Sequence, residues 1–396
     1  MNAPQSSSSS TLSTLSPLEA ARKIAPLVRE NAGEIEKTRE LPRPVFEAIA
    51  DAGLFLLCVP KSLGGGEIDF PTQIRIAEVL GLADASTAWA VDQGMTFASF
   101  SAYMQPDAAR EIWTNTPRSV VSNTPEPSGK AIVVPGGYRV SGSHGFSTGS
   151  RHANWVASQA QVIENGEARL RDGKPELRFC FVPREQVEVL DTWHTRGMRG
   201  TGTNHFELKD VFVPEAHTVY TTKPPRITDG KRFHIPQTLV FAAGDGIVAL
   251  AVARNCINDF CELAGSKAPH RMVGLLRDQP IAQYNVGECE AQLNSAHAYL
   301  MDSVDKIWDD VMRTGDPSME SRVAVRLSGT HAIRVAAKIV ESIYADCGAT
   351  AIFEGNAIQR YFQDVHVITQ HMQGRRVHYE MIGKYRLGLP IDEGRM

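Results

Sequence analysis

Two candidate bases stand seventeen positions apart in IFEGNAIQRYFQDVHVITQH, residues 352–371: Glu354 before a glycine, and His371 at the end of the stretch. A carboxylate is suited to removing a carbon-bound proton. A neutral imidazole is suited to managing protons around a reactive oxygen species or a substrate O–H or N–H near neutral pH. Asp364 precedes His371 by seven residues. That is nearly two helical turns, so the spacing predicts a shared helix face with the pair about 10 Å apart. His366 falls on a different face. The plain alternatives are a buried histidine bonded to a backbone carbonyl and a carboxylate that caps a helix or fixes a loop.

The rest of the composition narrows the chemistry. The 396 residues carry a formal charge of −4 with no basic run, so nothing electrostatic points to nucleic acid. The cysteines at 58, 180, 256, 261, 289 and 347 form no CxxC pair, and the histidines form no HExxH. A metal site is therefore not expected, and reduced thiols in a cytoplasmic protein are. MNAPQSSSSSTLSTLSP lacks the basic start and apolar core of a signal peptide, and residues 1–16 are expected to be disordered. The most apolar stretch, residues 239–253, contains Asp245 and two glycines; it reads as a buried core helix too short to span a bilayer.

Three zones must position these residues. Residues 17–116 read as an N-terminal helical domain, opened by a Ser-Pro helix entry at residue 16. Residues 117–222 hold short alternating runs broken by Gly, Pro, Asn and Asp, which predicts a middle antiparallel β domain. Residues 234–396 read as a C-terminal bundle, with long helices over 237–264, 280–313 and 318–346 and another from about 357. The fold class is mainly α with a central β domain, and a ligand site is expected where such domains join.

Four motifs in this order resemble the acyl-CoA dehydrogenase superfamily of flavoproteins: AGLFLLCVPKSLGGGEIDF, YRVSGSHGFSTGSRHANWV, RGMRGTGTNHFELKDVFVPEAH and IFEGNAIQR. The resemblance covers residues 17–390 and implies an acyl-CoA dehydrogenase-like fold. It also implies a flavin, FAD or FMN, whose N5 and pyrimidine edge change protonation and charge and need hydrogen-bond partners. Ser147, Thr148 and Gly149 offer hydroxyls and unhindered backbone, with Thr148 near N5 and Phe146 covering the flank. Asn123 and Thr124 lie in the stretch that resembles the one holding the pyrimidine. Arg199, in GMRGTGT, would meet a phosphate or pair with an acid. His194 and Trp155 read as structural.

Within the superfamily, Glu354 occupies the place of the dehydrogenases' catalytic glutamate. Two other stretches resemble the two-component flavin-dependent monooxygenases: LLRDQPIAQYNVGECEA, and QDVHVITQH with its Asp364-to-His371 spacing, where Gln363 stands in place of the usual arginine. That resemblance implies an oxygenase component which takes reduced flavin and O2 through a C4a-hydroperoxyflavin and hydroxylates an aromatic or heteroaromatic small molecule. His371 and Thr148 would then handle protons and hydrogen bonds. The alternative is an acyl-CoA dehydrogenase-type enzyme with Glu354 as base. No GxGxxG follows a strand, so reduced flavin would come from a separate NAD(P)H-dependent reductase. Phe97, Phe100, Tyr103 and Phe241 are candidate substrate-pocket residues, or plain core. Long C-terminal helices and the resemblance together imply a homotetramer.

Overall fold

The computed structural model describes residues 15–221 and 225–396, so most of the segment expected to be disordered, residues 1–14, lies outside the described residues. Ser16 is already part of the fold. It caps the first helix in a reciprocal capping box, with its backbone N–H donating to Glu19 Oε2 at 2.9 Å. In chain order come α1 (Pro17–Glu30), α2 (Ala32–Thr38), α3 (Arg43–Asp51), α4 (Phe70–Gly81), α5 (Ala85–Ala98) and the short α6 (Pro106–Ala109). Eleven strands follow among the described residues, and then α7 (Gln237–Ser266), α8 (Pro280–Thr314), α9 (Met319–Cys347), α10 (Ala357–Gln370) and α11 (Val377–Arg386).

The described chain forms two compact units, and their boundary falls within α5. Of the described residues, one comprises those up to Ile68, Ala90–His194 and those from Arg199 to Phe233; the other comprises Asp69–Trp89, Thr195–Met198 and His234–Met396.

The first unit is organised by a nine-stranded sheet. β2 (Gly129–Val134), β3 (Gly137–Ser147), β4 (Trp155–Glu164), β8 (Leu177–Pro183) and β10 (Asn204–Pro214) are its long members. With β9 (Glu188–Leu190) and β11 (Thr218–Tyr220) at its edges, the order is β11-β8-β4-β2-β3-β10-β9, and β1 (Val121–Asn123) and β5 (Glu167–Ala168) also pair with β4. The sheet is mixed, which corrects the antiparallel expectation: β1 and β2 both run parallel to β4. Turn chemistry announces hairpins such as β2–β3, but not that the chain leaving β3 crosses back to lie beside β2. Pro125 and Pro127, which lack the N–H a ladder needs, separate β1 from β2.

Both faces of this sheet are buried. Trp155, Ala157, Phe179 and Phe181 face a cluster with Phe97, Phe100, Ile112 and Trp113; Val156, Ala160, Cys180 and Val182 face one with Tyr138, Val140 and Phe206. That explains why LRFCFVP is apolar nearly throughout rather than alternating.

The second unit is helical. Its long helices run within two residues of the expected bounds, because a 3.6-residue apolar period is a local property. α7 is thirty residues long and exceeds the reading of 239–253 as too short to span a bilayer. By length and composition it is long and apolar enough to cross a membrane, but 83% of its most apolar window is buried inside the protein. It packs chiefly on α9 and also meets α4, α8 and α10.

Candidate active site

In the first unit, the Ser147-Thr148-Gly149 run leaves the end of β3. Phe146, just before it, has φ +60° and is 55% exposed. An aromatic residue held in the left-handed region is a strained choice that surrounding structure must enforce. Its neighbours are the rings of Trp193 and His205, with centroids 6.4 and 5.9 Å away. Ser147 is buried and shares a 2.5 Å hydroxyl contact with Ser122, whose Oγ donates to Thr148 O at 2.7 Å. Gly149 has φ +69°, and its N–H donates to Thr201 O at 2.9 Å. Thr148 Oγ1 is 3.1 Å from Thr203 Oγ1, which in turn is 2.7 Å from Thr201 Oγ1. The backbone is thus tied down from three sides, and the Thr148 hydroxyl is oriented by a second threonine.

Asn123, Thr148 and Gly149 line one cleft together with Phe46, Phe55, Gln93, Val120 and His152. His152 Nε2 accepts from Leu41 N at 3.1 Å, and its ring stacks on Phe46 at 5.0 Å. Burial moves its pKa below the ordinary histidine value, so the wall it forms is neutral. The cleft is mainly apolar, with the Asn123 amide and the Thr148 hydroxyl among its lining groups. Thr124, by contrast, is buried beside the cleft, where its Oγ1 accepts from Gln159 N at 3.4 Å.

The remaining residues of this unit are otherwise engaged. Arg199 meets an acid: its Nε lies 3.1 Å from Glu36 Oε1 and donates to Glu36 O at 3.0 Å. Phe97 and Phe100 belong to the aromatic core under the sheet, 5.1 and 5.0 Å from Phe179. Tyr103 donates its hydroxyl to Phe233 O at 3.0 Å. His194 is exposed among Arg39 and Asp191, and Trp155 is buried.

In the second unit, α10 ends at Gln370. His371 is its C-cap with extended backbone, not the helical residue that the spacing from Asp364 predicts. The shared-face geometry with Asp364 is therefore lost. Asp364 is buried and accepts from Met198 N at 2.5 Å, while Gly197 packs so closely on Gln363 that a Cβ there would overlap the Gln363 backbone. His371 instead turns to α7, where its Nδ1 lies 2.6 Å from Oδ2 of Asp245. The two atoms are close without the alignment of a straight hydrogen bond, and both are shielded from solvent. Trp89 meets the imidazole edge-on, with centroids 5.0 Å apart at 88°. Glu354 is exposed in the turn before α10, and Asn356 rather than Glu354 caps that helix by accepting from Ile358 N at 2.9 Å. His366 bonds Phe362 O and Glu341, and Phe241 is half-buried on α7.

Asp245, Trp89, Thr203 and His152 carry no motif that marks them as site residues in the sequence. Asp245 left a usable signal, a lone carboxylate in an apolar helix between two glycines. The others left none. Among the described residues no cluster of three or more His, Cys, Asp or Glu is placed to hold a metal.

The sequence pattern of the acyl-CoA dehydrogenase N-terminal domain matches residues 18–110, and that of the C-terminal domain matches residues 243–376. Indole-3-acetate monooxygenase from Pseudomonas putida is 30% identical over 362 residues, covering 91% of this chain and 90% of that protein. The flavin-dependent monooxygenase oxygenase subunit HsaA of Mycobacterium tuberculosis is 26% identical over 94% of this chain and 95% of its own length. The structure of XiaF from a Streptomyces species, solved with FADH2 and glycerol, superposes with a TM-score of 0.85 at 24% identity, covering 96% of each chain. That likeness shows the fold.

Proposed function

We propose, from the premise that this chain belongs to the acyl-CoA dehydrogenase superfamily and to its flavin-dependent monooxygenases, that it is the oxygenase component of a two-component system acting on an aromatic or heteroaromatic small molecule. The overall change is RH + O2 + reduced flavin → ROH + H2O + oxidised flavin. One oxygen atom enters a substrate C–H bond, the other leaves as water, and the flavin supplies two electrons.

One observation supports this reading most. Asn123, Thr148 and Gly149, the residues assigned to a flavin by resemblance, share one largely apolar cleft. Their chemistry fits the group. Thr148 brings a hydroxyl that donates or accepts, Asn123 an amide for a pyrimidine edge, and Gly149 open space, with nothing within 4 Å of a Cβ built there. Gly149 gives room rather than a donor, since its N–H is taken by Thr201. Phe146 presents an exposed ring beside this run. Bound here, FAD or FMN in its reduced form supplies the activation of O2.

The protein's own residues then hold and move protons. Thr148 holds a hydrogen bond at the cleft end. His371 takes a proton from a substrate O–H or N–H, or returns one, through the ring nitrogen that does not face Asp245. Phe97 and Phe100 shape the first unit from its core, Tyr103 is held to Phe233, and Phe241, half-buried on α7, remains the candidate for touching substrate. Arg199 serves to fasten Glu36. The HsaA relative is named an oxygenase subunit, which supports a separate NAD(P)H-dependent reductase as partner for this chain. Six unpaired cysteines support a cytoplasmic location. Exposed Ile281 and Tyr284 on α8, with Ile352 and Phe353, support a homotetramer. Light scattering tests that, with four times the 43.4 kDa chain mass expected.

The function is tested with reduced FMN or FAD from a generic reductase, 18O2 and a panel of phenols and indoles. Label in the product is expected. His371→Ala should release H2O2 in place of product, while Glu354→Gln should leave turnover intact. The reverse pattern would instead favour a dehydrogenase acting on an acyl thioester through Glu354.

A further inference from the structure

We infer that Asp245 is the positioning residue for His371: its carboxylate holds the imidazole with the proton on Nδ1 and leaves Nε2 as the atom that exchanges protons. The inference rests on the assignment of His371 to proton handling.

The starting point is where α7 places a charge. Asp245 is 1% exposed and stands between Gly244 and Gly246 in an otherwise apolar segment. A carboxylate in such a place is costly, and a neutral residue would pack there at lower cost if filling space were its whole task. The glycines explain how it reaches its position. Gly246 lies against Gly329 of α9, with a built Cβ only 3.2 Å from Gly329 Cα, so the two helices cross at backbone distance.

Two sets of contacts then converge on the segment that follows α10. Arg326 of α9, also 1% exposed, binds Thr238 Oγ1 at 2.6 Å and the side-chain oxygen of Gln373. Thr330 donates to Gln373 O at 2.8 Å, and Arg334 Nε donates to Gly374 O at 2.7 Å. These fix the backbone two and three residues beyond His371. The ring itself is fixed by Asp245 on one side and the edge-on Trp89 on the other. The charged groups facing this segment are thus Asp245 on α7 and Arg326 and Arg334 on α9; α5 contributes the uncharged Trp89. Burial brings the Arg326 guanidinium down to about 10, while the nearby Asp245 charge opposes that fall.

The tautomer follows from this arrangement. Nδ1 is shielded from solvent 2.6 Å from a carboxylate oxygen, and two facing lone pairs would repel, so Nδ1 carries the proton. Nε2 has no hydrogen-bond partner among the described residues and is left to accept or return a proton. The same division of labour holds wherever a carboxylate orients a histidine base.

The experiment uses the full chain without flavin, labelled with 15N-imidazole histidine, and His371 is assigned by its loss in His371→Gln. Long-range 1H–15N correlation of the neutral ring is expected to show Nδ1 protonated and Nε2 bare. Asp245→Ala should shift the ring toward the Nε2–H form. In the reduced-flavin assay it should lower coupled hydroxylation about tenfold or more, at unchanged substrate KM. A wild-type His371 that carries its proton on Nε2 overturns the inference, and this measurement stands even if Asp245→Ala fails to fold. A folded Asp245→Ala with an unchanged tautomer overturns it equally. If His371→Ala keeps full coupling, the proton-handling assignment fails instead, whatever the tautomer.

Discussion

Gly329 of α9 and Ala242 of α7 approach so closely that a Cβ on Gly329 would overlap the Ala242 carbonyl oxygen. This crossing carries Asp245 to its place one turn further along α7. Gly329→Ala should therefore destabilise the protein by about 1–3 kcal/mol, although alanine is the better helix former. Gly287 on α8 is the control: nothing lies within 4 Å of a Cβ built there. Gly287→Ala should stabilise by about 1 kcal/mol. Urea midpoints of the two variants check the opposite signs.

Phe146 trades stability for position. At φ +60° and 55% exposed, it gains little from burial and carries backbone strain. Phe146→Gly should leave the melting temperature unchanged or raise it, by about 1 kcal/mol or less in free energy. The same variant should bind reduced flavin more weakly, which anaerobic fluorescence titration would show. A large loss of stability would mean that the ring is a core residue.

The Thr148 hydroxyl is aimed by Thr203, 3.1 Å away. Thr148→Val keeps the shape and removes the hydrogen bond, so reduced-flavin affinity should fall about tenfold, the equivalent of about 1.4 kcal/mol. Thr148→Ser should restore most of it. Thr203→Val should give a smaller loss in the same titration, because it frees the Thr148 hydroxyl to rotate.

His144 should make the protein acid-sensitive. It is fully buried, with Ser128 Oγ and Ser158 Oγ each 2.9 Å from its ring nitrogens, and burial pushes its pKa down to about 4. The folded value lies below the unfolded one, so the unfolded chain binds the proton first as pH falls. The stability this neutral ring contributes is present above about 6.5 and is lost as pH falls toward about 4. His144→Gln should be less stable than wild type at pH 7, and the gap should narrow by up to about 3 kcal/mol by pH 4. Urea unfolding at three pH values measures it.

The sequence alone carried what is local. Apolar periodicity located α7, α8 and α9 to within two residues, Ser16-Pro17 marked the first helix, and alternating runs marked the strands, because each of these patterns is a property of neighbours in the chain. Motif order brought Asn123, Thr148, Gly149 and His371 to notice. Tertiary structure decided the rest. It set β4 beside β2, making the sheet mixed, and it sent Arg199 to Glu36 and Phe97 and Phe100 into the core. It also took His371 off the end of α10, away from Asp364, and set it against Asp245, 126 positions earlier in the chain. A seven-residue spacing speaks only while the helix continues; where it stops, and which helix crosses at backbone distance, depends on glycines at 246 and 329 that do not meet until the chain is folded.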